Sequence, residues 1–288
     1  MSHPKFGPAG AGEQFYNTGH KSSLEMPVYL SGLGLDCFEY QCGRGVNISA
    51  DKAVQLGEKA KEYGVALSIH APYFISLNSP DPEKRQNSIR YLLESTRALS
   101  AMGGKRVIFH PGGLGKQSRE EAFAAASETL VNALQTLENE GLGHILLCPE
   151  TMGKNNQLGD LEETVNFCKL SDRLLPCVDF GHLNSRTQGG IDGYAAYEAV
   201  FDTISNGIGT DKARRIHCHF SKIEYTAGGE KNHLTFAEDT HFGPDYEPLM
   251  ELLYKKNYAP VIICESRGTQ EIDAKTMKSC YISLTNNK

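Results

Sequence analysis

The chain has 288 residues, 40% of them hydrophobic, a length and composition that suit one large α/β domain. Its formal charge is −6, from 29 basic and 35 acidic residues, which argues against a protein that coats nucleic acid through bulk positive charge. Four of the eight cysteines lie inside apolar runs, which indicates buried thiols and a reducing compartment. We find no signal peptide and no apolar stretch of about 20 residues, so we expect a cytoplasmic protein without membrane contact.

Short apolar runs bounded by Gly and Pro predict buried parallel strands. In chain order these runs are 5–8, which is the weakest, 35–40, 65–70, 107–110, 145–150, 174–179, 215–220 and 261–265. Between them, apolar residues at three- and four-residue spacing predict helices at 50–63, 87–102, 119–137, 161–169 and 246–255.

The number of alternating segments predicts the overall architecture. Eight strand–helix repeats without a linker predict an α/β fold, a (β/α)₈ TIM barrel in which residues 1–288 form a single domain. A doubly wound open sheet is the alternative. Such a sheet would gather residues from six strand ends around one point less readily than a closed barrel.

Residues able to bind a metal end five of the predicted strands. They are His70, His110, Glu150, Asp179 and Glu265. Ionisable groups at the ends of buried strands are costly unless they are paired or metal-bound. Because a TIM barrel places its active site at the carboxyl ends of its strands, we predict a metal site there.

Further candidate ligands exceed the number that one zinc ion uses. His182 follows Asp179 by three residues, and His233 lies in a glycine-rich segment. His217 and His219 are two residues apart and therefore point to one face of a strand. The sequence predicts at least two metal ions bridged by a carboxylate. The number of imidazoles favours zinc, and manganese or iron would also suit.

Two metal ions close together suit more than one reaction. They suit in-line attack on a phosphodiester, and they also suit isomerisation or epimerisation of a sugar. The residues alone leave both alternatives open, together with a third, a metal-binding protein without catalysis.

The motifs along nearly the whole chain resemble those of the endonuclease IV family of apurinic/apyrimidinic endonucleases. The segment His70-Ala71-Pro72-Tyr73-Phe74-Ile75-Ser76-Leu77 is similar to the family's His-x-x-Tyr-Leu-Ile-Asn-Leu. The other matching motifs are His110-Pro111-Gly112, Pro149-Glu150-Thr151, Val178-Asp179-Phe180-Gly181-His182 and Cys264-Glu265.

The resemblance implies a (β/α)₈ barrel with three zinc ions that cleaves DNA 5′ to abasic sites in base-excision repair. His70 and His110 would hold one zinc, with Glu150 as the bridge and a catalytic residue. Asp179, His219 and Glu265 would complete a second zinc site, and Glu265 would also position the attacking hydroxide. His182 and His233 would hold a third zinc ion.

The resemblance also implies the partner and the residues that contact it. The expected partner is double-stranded DNA with abasic sites, bound by a monomer. Arg44 and Tyr73 match positions where the family inserts side chains into damaged DNA, with Phe74 beside them.

Two departures from the family pattern mark this chain as divergent. Lys231 stands where the family has an Asp ligand to the third zinc, two residues before the histidine that matches His233. The adjacent Glu230 is a possible replacement ligand, and a weak or absent third metal is the alternative. His219-Phe220-Ser221-Lys222 replaces the family's His-Leu-Asn-Asp, and His217 is either a further ligand or a hydrogen-bond donor to one.

Overall fold

The computed structural model describes residues 3–238 and 240–286. Within these ranges the strands are β1 (Lys5–Pro8), β2 (Cys37–Gln41), β3 (Ala66–His70), β4 (Arg106–Phe109), β5 (Leu146–Pro149), β6 (Cys177–Asp179), β7 (His217–Phe220), β8 (Lys222–Thr226), β9 (Gly229–Leu234) and β10 (Val261–Cys264). The α-helices are α1 (Glu13–Asn17), α2 (Met26–Leu33), α3 (Ala50–Glu62), α4 (Pro82–Ala101), α5 (Arg119–Asn139), α6 (Leu161–Cys168), α7 (Phe180–Arg186), α8 (Gly193–Ile208), α9 (Thr210–Ala213), α10 (Glu247–Lys256) and α11 (Gln270–Asn286), and a 3₁₀ turn covers Ser23–Glu25.

Eight parallel strands of the described residues form a closed cylinder. One sheet has the order β1-β10-β7-β6, the other has the order β2-β3-β4-β5, and all their pairings are parallel. Parallel bridges close the two seams, Ala9 with Glu39 between β1 and β2, and Glu150 with Cys177 between β5 and β6. The predicted (β/α)₈ barrel is therefore confirmed, and the open sheet is excluded.

The barrel strands are short and apolar because both of their faces are covered. Val107, Phe109 and Leu147 are fully buried between the barrel interior and the surrounding helices. Helix α5 shows how the outer layer forms. Its buried residues include Ala126, Leu130, Ala133 and Leu137, a spacing that places one apolar stripe against the strands.

The predicted strands coincide with strands of the barrel, whereas several other elements differ from the prediction. Helix α4 begins at Pro82 rather than at residue 87, because Asp81 caps it and proline suits the first helical position. Helices α8 and α11 were not predicted. The described residues include no helix with the length and apolar character that a membrane span requires.

An antiparallel hairpin interrupts the strand–helix alternation after β7. Strands β8 and β9 pair with each other and belong to neither barrel sheet. The sequence prediction treated this region as a glycine-rich loop. The hairpin projects from the carboxyl end of β7, so it adds residues to the face of the barrel where the predicted ligands lie.

Candidate metal centre

The predicted ligands meet at the carboxyl-terminal end of the barrel. Each follows from its place on a strand or on the element next to it: His70 ends β3, His110 follows β4, Glu150 follows β5, Asp179 ends β6, His182 lies in α7, His219 lies in β7, His233 lies in β9 and Glu265 follows β10. The structure therefore brings all eight together, although they span most of the chain.

Glu150 lies at the centre of this cluster and is almost completely buried. Its Oε2 lies 3.1 Å from His70 Nε2 and 3.2 Å from His110 Nε2. Its Oε1 lies 3.1 Å from His219 Nδ1 and 3.4 Å from His182 Nδ1. One carboxylate thus faces four imidazoles with its two oxygens, an arrangement in which it could bridge two cations.

A second group surrounds the other oxygen of Glu150. Ligand atoms of Glu150, Asp179, His219 and Glu265 all lie within 4.8 Å of one another. Asp179 uses Oδ1 to accept a hydrogen bond from the His182 backbone N–H at 2.7 Å, which begins α7. Its Oδ2 is buried without a hydrogen-bond partner and lies 3.4 Å from His182 Nδ1. Buried carboxylate oxygens normally accept hydrogen bonds, and a cation would be a suitable partner for this one.

A third group involves the hairpin. Ligand atoms of His182, Glu230 and His233 lie within 4.8 Å of one another, and His182 Nε2 is 3.4 Å from Glu230 Oε2. Lys231 does not take part, because its Nζ pairs with Glu224 on the neighbouring strand. Glu230 thus lies beside His182, where the family resemblance implied an aspartate at the position of Lys231.

A β-bulge explains how Glu230 and His233, three residues apart, share one side of the hairpin. Asn232 pairs with Glu224 while Glu230 pairs with Tyr225, so Lys231 is the extra residue in β9. Regular strands place residues i and i+3 on opposite faces, and one inserted residue reverses that relation. In this chain the acidic residue stands at position 230 instead of 231. The bulge returns its side chain to the side of the hairpin that carries His233.

The loop after β5 holds the hairpin in place. The backbone N–H of Glu230 donates to Gly153 at 3.2 Å, and Asn155 donates to Gly228 at 3.3 Å. At Gly229, with φ of 99°, an added Cβ would lie 2.1 Å from the Gly153 carbonyl oxygen. Only glycine fits this close approach, which sets the distance of Glu230 from the barrel.

Hydrogen bonds to one ring nitrogen orient three of the histidines. His70 Nδ1 is 2.8 Å from the Ala71 carbonyl oxygen, and His182 Nδ1 is 2.9 Å from that of Thr151. His233 Nδ1 is 2.8 Å from Ser221 Oγ. In each case Nε2 lies beside a carboxylate, that of Glu150 for His70 and that of Glu230 for His182 and His233. Such partners are typical of histidines that bind metals.

The carboxylates of the cluster form ion pairs with histidines. Among the described residues, the ion-pair partners of Glu150, Asp179 and Glu265 are all imidazoles. Burial raises the pKa of Glu150, but His219 and His110 outweigh it and hold that pKa well below its usual range. Burial raises the pKa of Asp179.

The pKa values of three buried histidines, His70, His182 and His219, are raised. Burial lowers the pKa of His70, but Glu150 outweighs it and raises the pKa to about 9. Divalent cations could bind between these side chains, because His, Glu and Asp are suitable ligands for zinc, manganese and iron. The residues present therefore fit the predicted metal ions.

His217, predicted as either a ligand or a donor, lies deeper in the barrel. Its Nε2 is 2.9 Å from Glu39 Oε2. Among the described residues it forms its ion pair with Glu39 and none with Glu150, although ligand atoms of Cys177, His217 and His219 lie within 4.8 Å of one another. Glu39 was missed by the sequence analysis. Its only signal is an acidic residue inside the apolar run 35–40.

The three predicted DNA-contacting residues lie at the rim of the cluster. Tyr73 and Phe74 are 50% and 47% exposed, and their ring centroids are 4.5 Å apart. The Tyr73 N–H donates to the Gly43 carbonyl, which joins its loop to the turn that carries the exposed Arg44. Tyr73 lines the cavity over the metal ligands, whereas Phe74 lines a neighbouring groove.

The cavity over the ligands has a volume of about 420 Å³. Its walls include His70, His110, Glu265 and, from the loop after β5, Lys154. Lys154 was not predicted as a site residue. It adds a basic residue to the wall of this cavity.

Comparison with known proteins identifies the family. The family model described as a xylose isomerase-like TIM barrel matches residues 28–280. An uncharacterised protein of Methanocaldococcus jannaschii is 34% identical over 257 residues, 88% of this chain and 90% of that protein. A protein of Acholeplasma laidlawii named "Probable endonuclease 4" is 27% identical over 210 residues, 70% of this chain and 68% of that protein.

Solved structures share the fold. A D-tagatose 3-epimerase-like protein is 21% identical with a TM-score of 0.72, covering 98% of both chains. Endonuclease IV from Thermus thermophilus is 17% identical with a TM-score of 0.69, covering 99% of this chain and 100% of that one. The resemblance inferred from the motifs is therefore confirmed as that of a divergent relative of proteins named endonuclease 4.

Proposed function

This chain belongs to the xylose isomerase-like TIM barrel family, and on that premise we propose that it is a zinc-dependent phosphodiester hydrolase. It cleaves DNA 5′ to abasic sites and leaves a 3′-hydroxyl, acting as a cytoplasmic monomer in base-excision repair. The observation that supports this most is the presence of three adjacent ligand groups around Glu150 and His182. A multinuclear site of this kind suits the displacement of a phosphate ester.

Each group of ligands would hold one ion. His70 and His110, which both lie beside Oε2 of Glu150, would hold the first ion together with that carboxylate. Glu150, Asp179, His219 and Glu265 would hold the second, and His182, Glu230 and His233 would hold the third. When bound, zinc ions lower the pKa of an attacking water and neutralise the charge that develops on the phosphate. Manganese or iron would fit the same ligand types.

Two carboxylates, those of Glu265 and Glu150, would have the main catalytic roles. Glu265 lines the cavity and its side chain is 17% exposed, so it can orient an attacking water and accept a proton from it. Glu150 is enclosed by histidines and holds the ligand groups together. Because water is the nucleophile, no serine or cysteine is needed. Lys154 can contact a phosphate oxygen at the cavity mouth.

The exposed residues at the rim of the cavity favour a polymer as the substrate. Tyr73 and Phe74 present aromatic faces to solvent next to the turn that carries Arg44. Aromatic side chains can fill the gap left by a missing base, and extruding a nucleotide is least costly where stacking is already lost. These three residues would select the abasic site and direct its phosphate toward Glu265.

A sugar isomerase or epimerase is the second candidate function. The observation that favours it is the cavity of about 420 Å³, which contains Glu265 and has room for a monosaccharide. The third ligand group and the exposed aromatic rim favour the nuclease, since a small polyol needs neither of them.

A cleavage assay separates the two candidates. Zinc-loaded protein should nick duplex DNA at a single abasic analogue and leave a 3′ end that a polymerase extends. Glu265→Gln should abolish nicking while the protein remains folded. Fully metal-loaded wild-type protein that leaves abasic DNA intact but converts a ketose to its epimer would overturn the nuclease assignment.

A further inference from the structure

A buried carboxylate, Glu39, lies beneath the metal ligands inside the barrel. It is 0% exposed, and the described residues provide it with no lysine or arginine partner. Its Oε2 lies 2.9 Å from both His217 Nε2 and Ser68 Oγ. Its Oε1 lies 3.0 Å from His219 Nε2 and 3.1 Å from Gln41 Nε2. Four polar side chains from β2, β3 and β7 thus surround one buried carboxylate.

Such a group is expensive in a barrel interior. Removing a carboxylate from water costs several kcal/mol even after relaxation, and apolar residues of similar size are often at least as stable. Packing alone therefore does not explain why a carboxylate stands at position 39. The position of Glu39 next to His219 does explain it.

His219 lies between two layers of carboxylates. Its Nδ1 is 3.1 Å from Glu150 Oε1 and 3.4 Å from Glu265 Oε1, on the metal side. Its Nε2 is 3.0 Å from Glu39, on the opposite side of the ring. We infer that Glu39 is a positioning residue, which holds the His219 ring so that Nδ1 is the nitrogen that binds metal. This inference rests on the proposed metal centre.

His217, which lies on the same strand as His219, contacts the same carboxylate. Its Nε2 contacts Glu39, while its Nδ1 is buried without a hydrogen-bond partner. It therefore holds Glu39 against β7 rather than binding metal with Glu150. The contact between Glu39 and His219 Nε2 is an ion pair at 3.0 Å without hydrogen-bond geometry. A carboxylate at the second nitrogen of a metal-binding histidine orients the ring and makes the ligand more basic.

The first test compares Glu39→Gln with Ser68→Ala as a matched control. Ser68→Ala removes one contact to Oε2 but leaves Oε1 beside His219. In Glu39→Gln, the zinc dissociation constant from chelator competition should rise by roughly 10- to 100-fold, and the visible spectrum of the cobalt-substituted protein should change. Ser68→Ala should stay within about threefold of wild type. Wild-type affinity and spectrum in a folded Glu39→Gln protein would overturn the inference.

A measurement on the wild-type protein covers the case in which Glu39→Gln does not fold. ¹⁵N NMR of the cadmium-loaded protein should show metal coupling to Nδ1 of His219 and a proton on Nε2. Coupling to Nε2 would overturn the inference even with the metal centre intact. Absence of bound metal in wild-type protein would instead refute the proposed function, so the two failures are distinguishable.

Discussion

At the scale of single residues, Glu230 shows how a ligand can move along the chain. The sequence placed Lys231 at a position where an aspartate was expected, yet the Lys231 ammonium pairs with Glu224. Glu230 instead lies 3.4 Å from His182 and 3.9 Å from His233. Neighbouring residues of one strand thus have opposite surroundings, and of the two only Glu230 faces the candidate metal ligands.

Substitution of these two neighbours tests that difference. Glu230→Ala should lower the zinc content by about one ion per chain, because it removes one of three ligands of the third group. Lys231→Ala should leave the zinc content unchanged, since its partner is outside the group. Zinc content is measured by native mass spectrometry. Equal zinc content in both variants would mean that Glu230 is not a ligand.

At the scale of secondary-structure elements, the hairpin formed by β8 and β9 is an addition to the regular strand–helix repeats of the barrel. It depends on the loop after β5, which approaches Gly229 so closely that a side chain cannot be accommodated. The position of the third ligand group is therefore set by contact between two loops that follow different barrel strands.

Gly229→Ala should displace the hairpin and remove the third metal while the barrel keeps the other two. Its φ of 99° and the 2.1 Å approach to Gly153 both oppose a side chain. Gly228→Ala is the control, because the nearest atom to its added Cβ is Thr226 Oγ1 at 3.7 Å. Circular dichroism checks folding, and native mass spectrometry counts the metals. Three ions in Gly229→Ala would show that the hairpin does not require this contact.

The barrel could be predicted from the sequence because its strands are local apolar runs, and five of these runs end in a candidate ligand, as at His70 and Glu150. The hairpin could not, since Lys222–Thr226 and Gly229–Leu234 are mostly polar and pair outside the core. Glu39 was missed for a different reason. It has no periodic signal, and its partner His217 is 178 residues away in the chain.

At the scale of the whole molecule, the charge is unusual for a proposed DNA-binding protein. The chain carries a formal charge of −6, so affinity has to come from local groups rather than from a general positive surface. Arg44, Lys154 and the aromatic pair Tyr73 and Phe74 lie at the same end of the barrel as the metal ligands. The residues proposed for recognition and the candidate metal ligands therefore share one face.

The rim is tested by replacing Arg44 and Tyr73 together with alanine. Cleavage of abasic duplex should fall by roughly 10- to 100-fold, because stacking on one aromatic side chain is worth about 1–3 kcal/mol. Zinc content should not change. Tyr63→Ala is the control, since Tyr63 ends α3 at the opposite end of the barrel. Wild-type cleavage by the double variant would remove these residues from substrate recognition.

The central claim is that residues from His70 to Glu265 form a multinuclear metal centre. Elemental analysis of protein purified without added metal tests it most directly. We predict at least two zinc-type ions per chain, and three when Glu230 completes the last group. Less than about one ion per chain in folded protein would contradict the metal centre and the mechanism built on it.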